Sequence, residues 1–396
     1  MVGRTLKRQK CWSTELVWVL CLAEALRLVR HRWRYEDKVR TASRRRSREI
    51  LSLICSSTEA DGMTHKSHDT GNAISCSVER VAKTIVADLA HRPEVFPTDR
   101  LLSTGKARPE LRAELRKIDD RRNAVSVVML WFSLVALIGG STWINQWWAY
   151  LVAFVLMGPI YSRFEVLVHE AAHKLLFTNK RIDEWVGTWV LAYPSWALIG
   201  VYRRTHFVHH KQEVGPDDAD LAMYSSCPCT RRTMVGLLFR DVIGISGCKN
   251  FAAFLGRLKV PSSRRITLSI IGVQFALWAV MWALTGRWWI YPLLWWLPWM
   301  TQWRVLYRLI SIAEHGGLEV NTDRRANTHY VRQKGWLAQF WIVPYNSGWH
   351  LAHHVDMGVP WRNLPRYSEE LEQAGYLTDA ITYPSYTALW RALTSA

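Results

Sequence analysis

At 396 residues the chain is long enough for one large domain or two ordinary ones, and its average composition, 49% hydrophobic and 21% charged with 23 Trp, mixes very basic stretches with long apolar runs. The formal net charge of +18 is of a kind that nucleic-acid binders carry, but no nucleic-acid-binding module accompanies it, and membrane topology accounts for the bias better. Seven cysteines with no CxxC spacing argue against structural disulfides and against a cysteine-ligated zinc; Cys227-Pro-Cys229 reads as ordinary free thiols, since nothing around it marks a low-pKa environment.

Residues 1–50 carry fourteen Lys and Arg against five Asp and Glu, a net +9 and half of the total. Leu16–Leu22 is too short to span a bilayer and lacks a small-residue cleavage site, so residues 1–62 read as a basic, disordered or membrane-surface arm, with Met63 as an alternative start. Cytoplasmic amphipathic helices are expected within 63–122, at Val78–Leu89 and Pro109–Arg122. A membrane domain follows over 123–370. Its apolar runs Ala124–Gly140 and Trp147–Tyr161 are separated by six residues, and Ile266–Leu284 and Trp288–Trp303 by three. A spanning helix needs roughly 20 apolar residues, and the second member of each pair reaches that length if Trp147, Trp148 and Tyr161, or Trp288, Trp289 and Trp303, sit in interfacial belts. The pattern predicts an all-α integral membrane protein of two helical hairpins, about four spans, with a cytoplasmic helical cap. The alternative is a set of buried core helices in a soluble protein.

The short connections within the hairpins carry one basic residue, whereas Arg203–Arg265 and the chain beyond Arg304 are rich in Arg and Lys, which places those segments in the cytoplasm. Trp185–Tyr202, interrupted by Pro194, is expected to lie in the interface or re-enter rather than span. Residues 371–396 read as a cytoplasmic tail.

Three histidine clusters lie on that cytoplasmic side: His169-Glu-Ala-Ala-His173, His206-Phe-Val-His209-His210 and His350-Leu-Ala-His353-His354. Positions i, i+3 and i+4 share a helix face, so each cluster is expected to aim its imidazoles at one point. Eight converging imidazoles imply a metal centre, and eight exceed what one tetrahedral zinc takes, so two metal ions are the natural reading.

These clusters, in this order between two hairpins, resemble the membrane-bound fatty acid desaturase family over roughly residues 120 to 370. Gly215-Pro-Asp-Asp-Ala-Asp220, Ala313-Glu-His315, Asn327-Thr-His329 and Trp349–His354 are similar to a bacterial subgroup that includes enzymes like dihydrorhizobitoxine desaturase, which act on a modified amino acid. The resemblance implies a non-haem diiron centre with O2 as co-substrate and His169, His173, His206, His209, His210, His350, His353 and His354 as ligands. It implies a ninth ligand, for which His315 is preferred over Asn346; His329 reads as a surface histidine. Glu165, Asp217, Asp218, Asp220 and Asp356 are candidate carboxylate partners of the ligating rings, and Glu170 a structural or supporting residue. Desaturation of a fatty acyl chain is the leading activity, with desaturation of a small amino-acid-derived amphiphile, or hydroxylation, on the same centre as alternatives. No dinucleotide motif, cysteine cluster or haem segment is visible, so electrons are expected from a separate acidic donor such as a ferredoxin, in a bacterial inner membrane.

Two readings from other classes compete. His169-Glu170-x-x-His173 also fits the HExxH motif of zinc proteases, with Glu170 as general base, but that leaves two clusters unexplained. A metal transporter would place its ligands near the bilayer midplane instead of at the helix ends. Trp189, Trp196, Trp299 and Trp303 are candidate channel-lining residues, most of them better read as interfacial anchors.

Overall fold

The computed structural model describes residues 93–333 and 335–395. The arm 1–62, the alternative start at Met63, the helix expected at Val78–Leu89 and Cys11, Cys21, Cys55 and Cys76 lie outside the described residues.

Helix α1 (Pro109–Leu115) is followed by a turn, and α2 (Asp120–Ile144) and α3 (Trp147–Ala172) then form an antiparallel hairpin closed by Asn145 in the left-handed conformation. The helix predicted over Pro109–Arg122 is therefore interrupted at 116–119, where the Asp119 side chain accepts the Arg122 N–H and starts α2 afresh. On α2, Val127, Leu130, Leu134 and Ile138 are buried at helical spacing, while Val125, Val128, Phe132 and Val135 on the other side are more than half exposed. A long helix that is apolar on both faces suits lipid. α3 continues well past the predicted limit at Tyr161.

Next come α4 (Lys180–Trp185), a π-helical turn (Val186–Ala192), α5 (Ile199–Lys211), α6 (Leu221–Tyr224), α7 (Arg231–Val242), α8 (Ile245–Gly256) and α9 (Pro261–Thr285). Three helical stretches are long and apolar enough to cross a membrane: Pro109–Ile144, which contains α2, then α3 and α9. The fourth predicted run is not one helix. A π-helical turn (Pro292–Trp296) leads into α10 (Leu297–Met300), the chain breaks at Thr301, and α11 (Gln302–His315) follows. Pro292 and Pro298 each remove a backbone donor there, which a count of apolar residues does not register.

The remainder is α12 (Arg324–Asn327), β1 (Tyr330–Gln333), α13 (Trp336–Trp341), α14 (His350–Val355), α15 (Leu364–Gln373), β2 (Thr382–Ser385) and α16 (Tyr386–Leu393). The two strands pair in parallel, with Tyr330 opposite Thr382 and Val331 opposite Tyr383, a small departure from the all-helical expectation. They draw the C-terminal segment back onto the body, where α16 buries Leu389 and Leu393 in the main core. A second core gathers Leu111, Leu115, Leu351, Val355, Tyr367 and Leu371 beneath α14.

Packing against α3 positions the functional end of the molecule. The α2 start is tied to the chain after α3 by Asn123 Nδ2 donating to Leu176 O at 2.8 Å. α11 runs alongside α3, with Gln302 Nε2 donating to Phe154 O at 2.6 Å. The π-helical turn lies so close to α3 that a Cβ on Gly187 would stand 2.5 Å from the Ala171 Cβ, so only glycine fits.

Candidate metal centre

α14 shows how the sequence builds the site. At 100° per residue Leu351, Ala352 and Val355 fall on one side, where they are buried in the second core, and His350, His353 and His354 fall on the other. α5 presents His206, His209 and His210 in the same way, α3 brings His169 and ends at His173, and α11 ends at His315.

Nine histidines meet in two sets. His169, His173, His206, His210 and His353 form one and His209, His315, His350 and His354 the other, with the ring nitrogens of each set within 4.8 Å of one another. This differs from the expectation that each cluster converges on one point. Residues i and i+4 lie about 40° apart around a helix while i+3 and i+4 lie about 100° apart, so neighbouring histidines diverge. α5 thus gives His206 and His210 to the first set and His209 to the second, and α14 gives His353 to the first and His350 and His354 to the second.

In the second set every Nδ1 faces an oxygen acceptor. His209 Nδ1 lies 2.8 Å from Asp218 Oδ2, His315 Nδ1 donates to Asn327 O at 2.7 Å, His354 Nδ1 lies 2.5 Å from Glu213 Oε1 and His350 Nδ1 3.3 Å from Glu314 Oε1. With Nδ1 as the donor, each Nε2 carries a lone pair. Those lone pairs face one another: His315 and His350 Nε2 are 3.1 Å apart, and His354 and His350 Nε2 2.8 Å apart. Converging lone pairs call for a cation between them. In the first set, Nε2 atoms of His173, His206, His210 and His353 are linked at 2.9 to 3.0 Å, and the buried His169 Nε2 has no partner among the described residues. The donor set, all imidazole, fits zinc, copper, nickel or iron.

Burial first, and then the neighbouring imidazoles, hold His173, His206, His210, His315, His350, His353 and His354 well below the usual histidine range, so they stay neutral and able to ligate. His209 differs. Burial lowers it, but the hydrogen bond and charge of Asp218 outweigh burial and raise it, while the same bond helps bring Asp218 down to about 2 against its own burial.

The other predicted residues fall into place unevenly. Asp218 also accepts from Val214 N–H, Asp220 N–H and Tyr224 Oη. Asp220 accepts from Tyr307 Oη at 2.7 Å, and Glu165 lines the cavity beside the histidines. Asp217 is exposed. Asp356 follows the last residue of α14 in an extended conformation and pairs with Arg116 at 2.7 Å instead of with a histidine. Asn346 lies before the start of α14 in a left-handed turn and donates to Trp361 O, so it does not share the histidine face. His329 is buried, not at the surface. Its Nε2 donates to Gly316 O at 2.8 Å and fixes the turn after His315. Glu170 is buried, and its Oε2 accepts the Trp361 N–H at 3.4 Å. Sequence reasoning missed Glu213, Glu314 and the Asn327 carbonyl.

Two openings reach different histidines. A cleft of about 1120 Å³ touches His173, His210 and His354 and is lined by Lys106, Arg112, Arg116, Lys211, Arg324 and Arg325 against Asp323 and Asp356. A cavity of about 90 Å³ touches the other six and is lined by Glu165, Tyr202, Asp220, Tyr224, Tyr307, Glu314 and Trp303. Trp196, Trp299 and Trp303 are buried, with Trp196 stacked on Trp299 at 5.2 Å, so of the four expected anchors only Trp189 is exposed. Cys227 and Cys229 hold their sulfurs 3.9 Å apart, and burial together with Cys229 pushes the Cys227 thiol up to about 12, the opposite of a reactive thiolate.

Three membrane-length helices, one of which ends at His173, and a buried cluster of nine histidines suited to metal ions make up the class of protein this is: membrane-associated, with a candidate metal site. The fatty acid desaturase family model matches residues 145–386, and the chain belongs to that family of oxidoreductases. It is 23% identical to dihydrorhizobitoxine desaturase of Bradyrhizobium elkanii over 270 residues, 64% of this chain and 76% of that protein. It is 24% identical to sn-1 oleoyl-lipid 12-desaturase of Anabaena variabilis over 291 residues, 67% and 81% of the two chains. Against the chloroplastic omega-6 fatty acid desaturase of Arabidopsis thaliana the identity is 23% over 294 residues, 66% of this chain and 61% of the plant protein.

Proposed function

We propose that the chain is an O2-dependent desaturase with a non-haem iron pair, one ion held by His169, His173, His206, His210 and His353 and the other by His209, His315, His350 and His354. The observation that carries this is the split of nine imidazoles into two sets, with all four Nδ1 atoms of the second set facing oxygen acceptors. When bound, a ferrous pair supplies the O2 chemistry needed to take hydrogen from two adjacent carbons and leave a double bond.

The protein's part is orientation and exclusion of water. Asp218, Glu213, Glu314 and the Asn327 carbonyl hold the rings of the second set. Trp303, Ile310, Ile342 and Leu364 give the small cavity an apolar wall against which the alkyl part of a substrate can lie beside the histidines. The substrate is a fatty acyl chain or an acyl-like amphiphile, in keeping with the oleoyl-lipid and the dihydrorhizobitoxine in the relatives' names. In this reading the chain spans the membrane about four times, the broken segment after α9 included, with the centre on the cytoplasmic face of a bacterial inner membrane, and the basic cleft suits an acidic electron donor by steering.

The zinc-protease reading fits less well. His169 and His173 share their set with three further histidines, more than the three ligands a catalytic zinc takes, and Glu170 is committed to the Trp361 backbone. Elemental analysis of the purified protein tests the reading. About two irons per chain are expected, together with O2 uptake matched to alkene formation. One zinc, no iron and peptide hydrolysis would overturn it.

A further inference from the structure

We propose that the chain holds an anionic phospholipid of the bilayer beside α9, with one acyl chain in a groove there and the phosphate on Arg257, Lys259 and Arg264. The groove, about 430 Å³, lies between Phe251 and Leu255 of α8, Ile271, Phe275 and Trp278 of α9, and the π-helical turn Pro292–Trp296. Its polar groups are spent inside the chain: Gln274 Nε2 donates to Tyr193 O at 2.7 Å and Pro194 O at 2.9 Å, Gln274 Oε1 accepts from Tyr291 Oη at 2.7 Å, and Trp278 Nε1 donates to Trp288 O at 2.8 Å. Trp196 also lines the groove, with its indole N–H buried rather than presented to it. What remains for an occupant is hydrocarbon surface, on a helix long and apolar enough to cross the membrane, and an alkyl chain matches it. None of the described residues that line the groove also lines the cavity beside the histidines, so the site goes beyond the desaturase reading and does not depend on it.

Charge at one end of the groove sets the kind of lipid. Seven residues advance a helix by about 700°, within about 20° of two full turns, so Arg264, Ile271 and Trp278 fall on one stripe of α9, with Arg264 about 10 Å beyond Ile271. Arg264 Nε donates to Leu258 O at 2.8 Å and Ser263 Oγ donates to Arg257 O at 3.0 Å, which holds this end of α9 against the 3-10 turn Arg257–Lys259. Leu255 of the groove stands just before that turn. Three cations thus gather at the Leu255 and Ile271 end, Lys259 and Arg264 exposed, and none has an Asp or Glu partner among the described residues. A neutral lipid would leave this charge unanswered, whereas a phosphate accepts from Arg and Lys alike, and each Lys or Arg near an anionic lipid surface strengthens binding about fivefold.

Native mass spectrometry of the full chain released from nonionic detergent, with dioleoylphosphatidylglycerol or dioleoylphosphatidylcholine added at equal concentration, reads the bound lipid directly. Phosphatidylglycerol is expected to bind at least about tenfold more tightly than phosphatidylcholine. Lys259→Gln combined with Arg264→Gln should bring the two lipids to within about threefold of each other, while Arg231→Gln combined with Arg232→Gln, on α7 and outside the groove, should leave the preference unchanged. Ile271→Trp fills the groove and should weaken both lipids about tenfold; Phe275→Ala, at an exposed position that the fold tolerates, should weaken both severalfold with an unchanged thermal midpoint. Equal binding of the two lipids by the wild-type chain, a preference lost as readily with the α7 arginines as with Lys259 and Arg264, or lipid binding that neither groove substitution weakens would overturn the proposal. So would displacement of the lipid by inorganic phosphate at about millimolar concentration, since that would make it an anion site with no part for the groove.

Discussion

Asp218→Asn tests whether the carboxylates behind the histidines hold the metal ligands in place. Asp218 is buried and accepts four donors: His209 Nδ1 at 2.8 Å, Val214 N–H at 3.1 Å and Tyr224 Oη at 2.5 Å on Oδ2, and Asp220 N–H at 2.9 Å on Oδ1. An amide keeps the shape but has one oxygen, so its NH2 must face either three donors or one. The better rotamer keeps oxygen toward His209 and sets NH2 against the Asp220 N–H. One buried donor is then unpaired, at about 1–3 kcal/mol, and the negative charge behind His209 is gone. Loss of such support weakens metal affinity by roughly 10- to 100-fold, or about 1.4–2.8 kcal/mol. The assay is iron retained per chain against a graded chelator. The loss should fall on the ion held by His209, His315, His350 and His354, leaving the other at wild-type affinity. Unchanged retention of both ions would refute the argument.

Three further outcomes follow from the geometry. His353→Ala removes a ligand of the first set only, so iron should fall from about two to about one per chain and O2-dependent alkene formation should stop while the protein remains in the membrane fraction; turnover near wild type would contradict a shared centre. Arg308→Met leaves Asp241, which is fully buried and paired through both oxygens, without its cation, and should cost about 3–5 kcal/mol, read as a lower thermal midpoint in detergent. Burial holds His329 at about 4, below its unfolded value near 6.5, so the unfolded chain binds the extra proton first: stability from this residue is complete above about pH 6.5 and declines by up to about 3 kcal/mol as pH falls to 4. His329→Gln should therefore flatten the acid side of the midpoint-against-pH curve relative to wild type, and parallel curves would show that this histidine does not carry the effect.

That these histidines gather was legible for eight of them because i, i+3, i+4 spacing is a local property, and for His315 through the family resemblance together with its place after the fourth apolar run. Their division into two sets was not, since it depends on how α5 and α14 are rotated relative to α3 and α11, which only packing decides. Glu213 lies three residues beyond His210 and Glu314 directly before His315, spacings that mark them as candidates, yet among many arginines each also reads as a solvated acid. The Asn327 contribution is a backbone oxygen and leaves no trace in residue type. Asp356 was misplaced for the converse reason: nearness in sequence to His353 and His354 sets no direction once the helix ends at Val355. The long spans of α2 and α9 could be read from hydropathy alone and that of α3 with its flanking aromatic residues, whereas the broken path from Pro292 to Gln302 could not.

In the proposed iron pair, the two sets of histidines are built unequally. All four rings of the second set face an acceptor through Nδ1, which fixes tautomer and orientation and raises the basicity of Nε2. In the first set, His206 Nδ1 and His353 Nδ1 are buried with no partner among the described residues, and His169 Nδ1 stands 3.8 Å from the nearest Glu170 oxygen. Those three rings, of the five in the set, hold their places by packing, with weaker donors. The first position should therefore release iron earlier, and chelation of the wild-type protein should proceed in two steps. Asp218→Asn acts on the tighter position alone, so it should draw the two steps together rather than displace both. A single step in the wild-type protein, or two steps that move in parallel in the variant, would mean that a set with three weakly supported imidazoles binds as firmly as four supported ones, and that the carboxylates around the second set serve the fold rather than the metal.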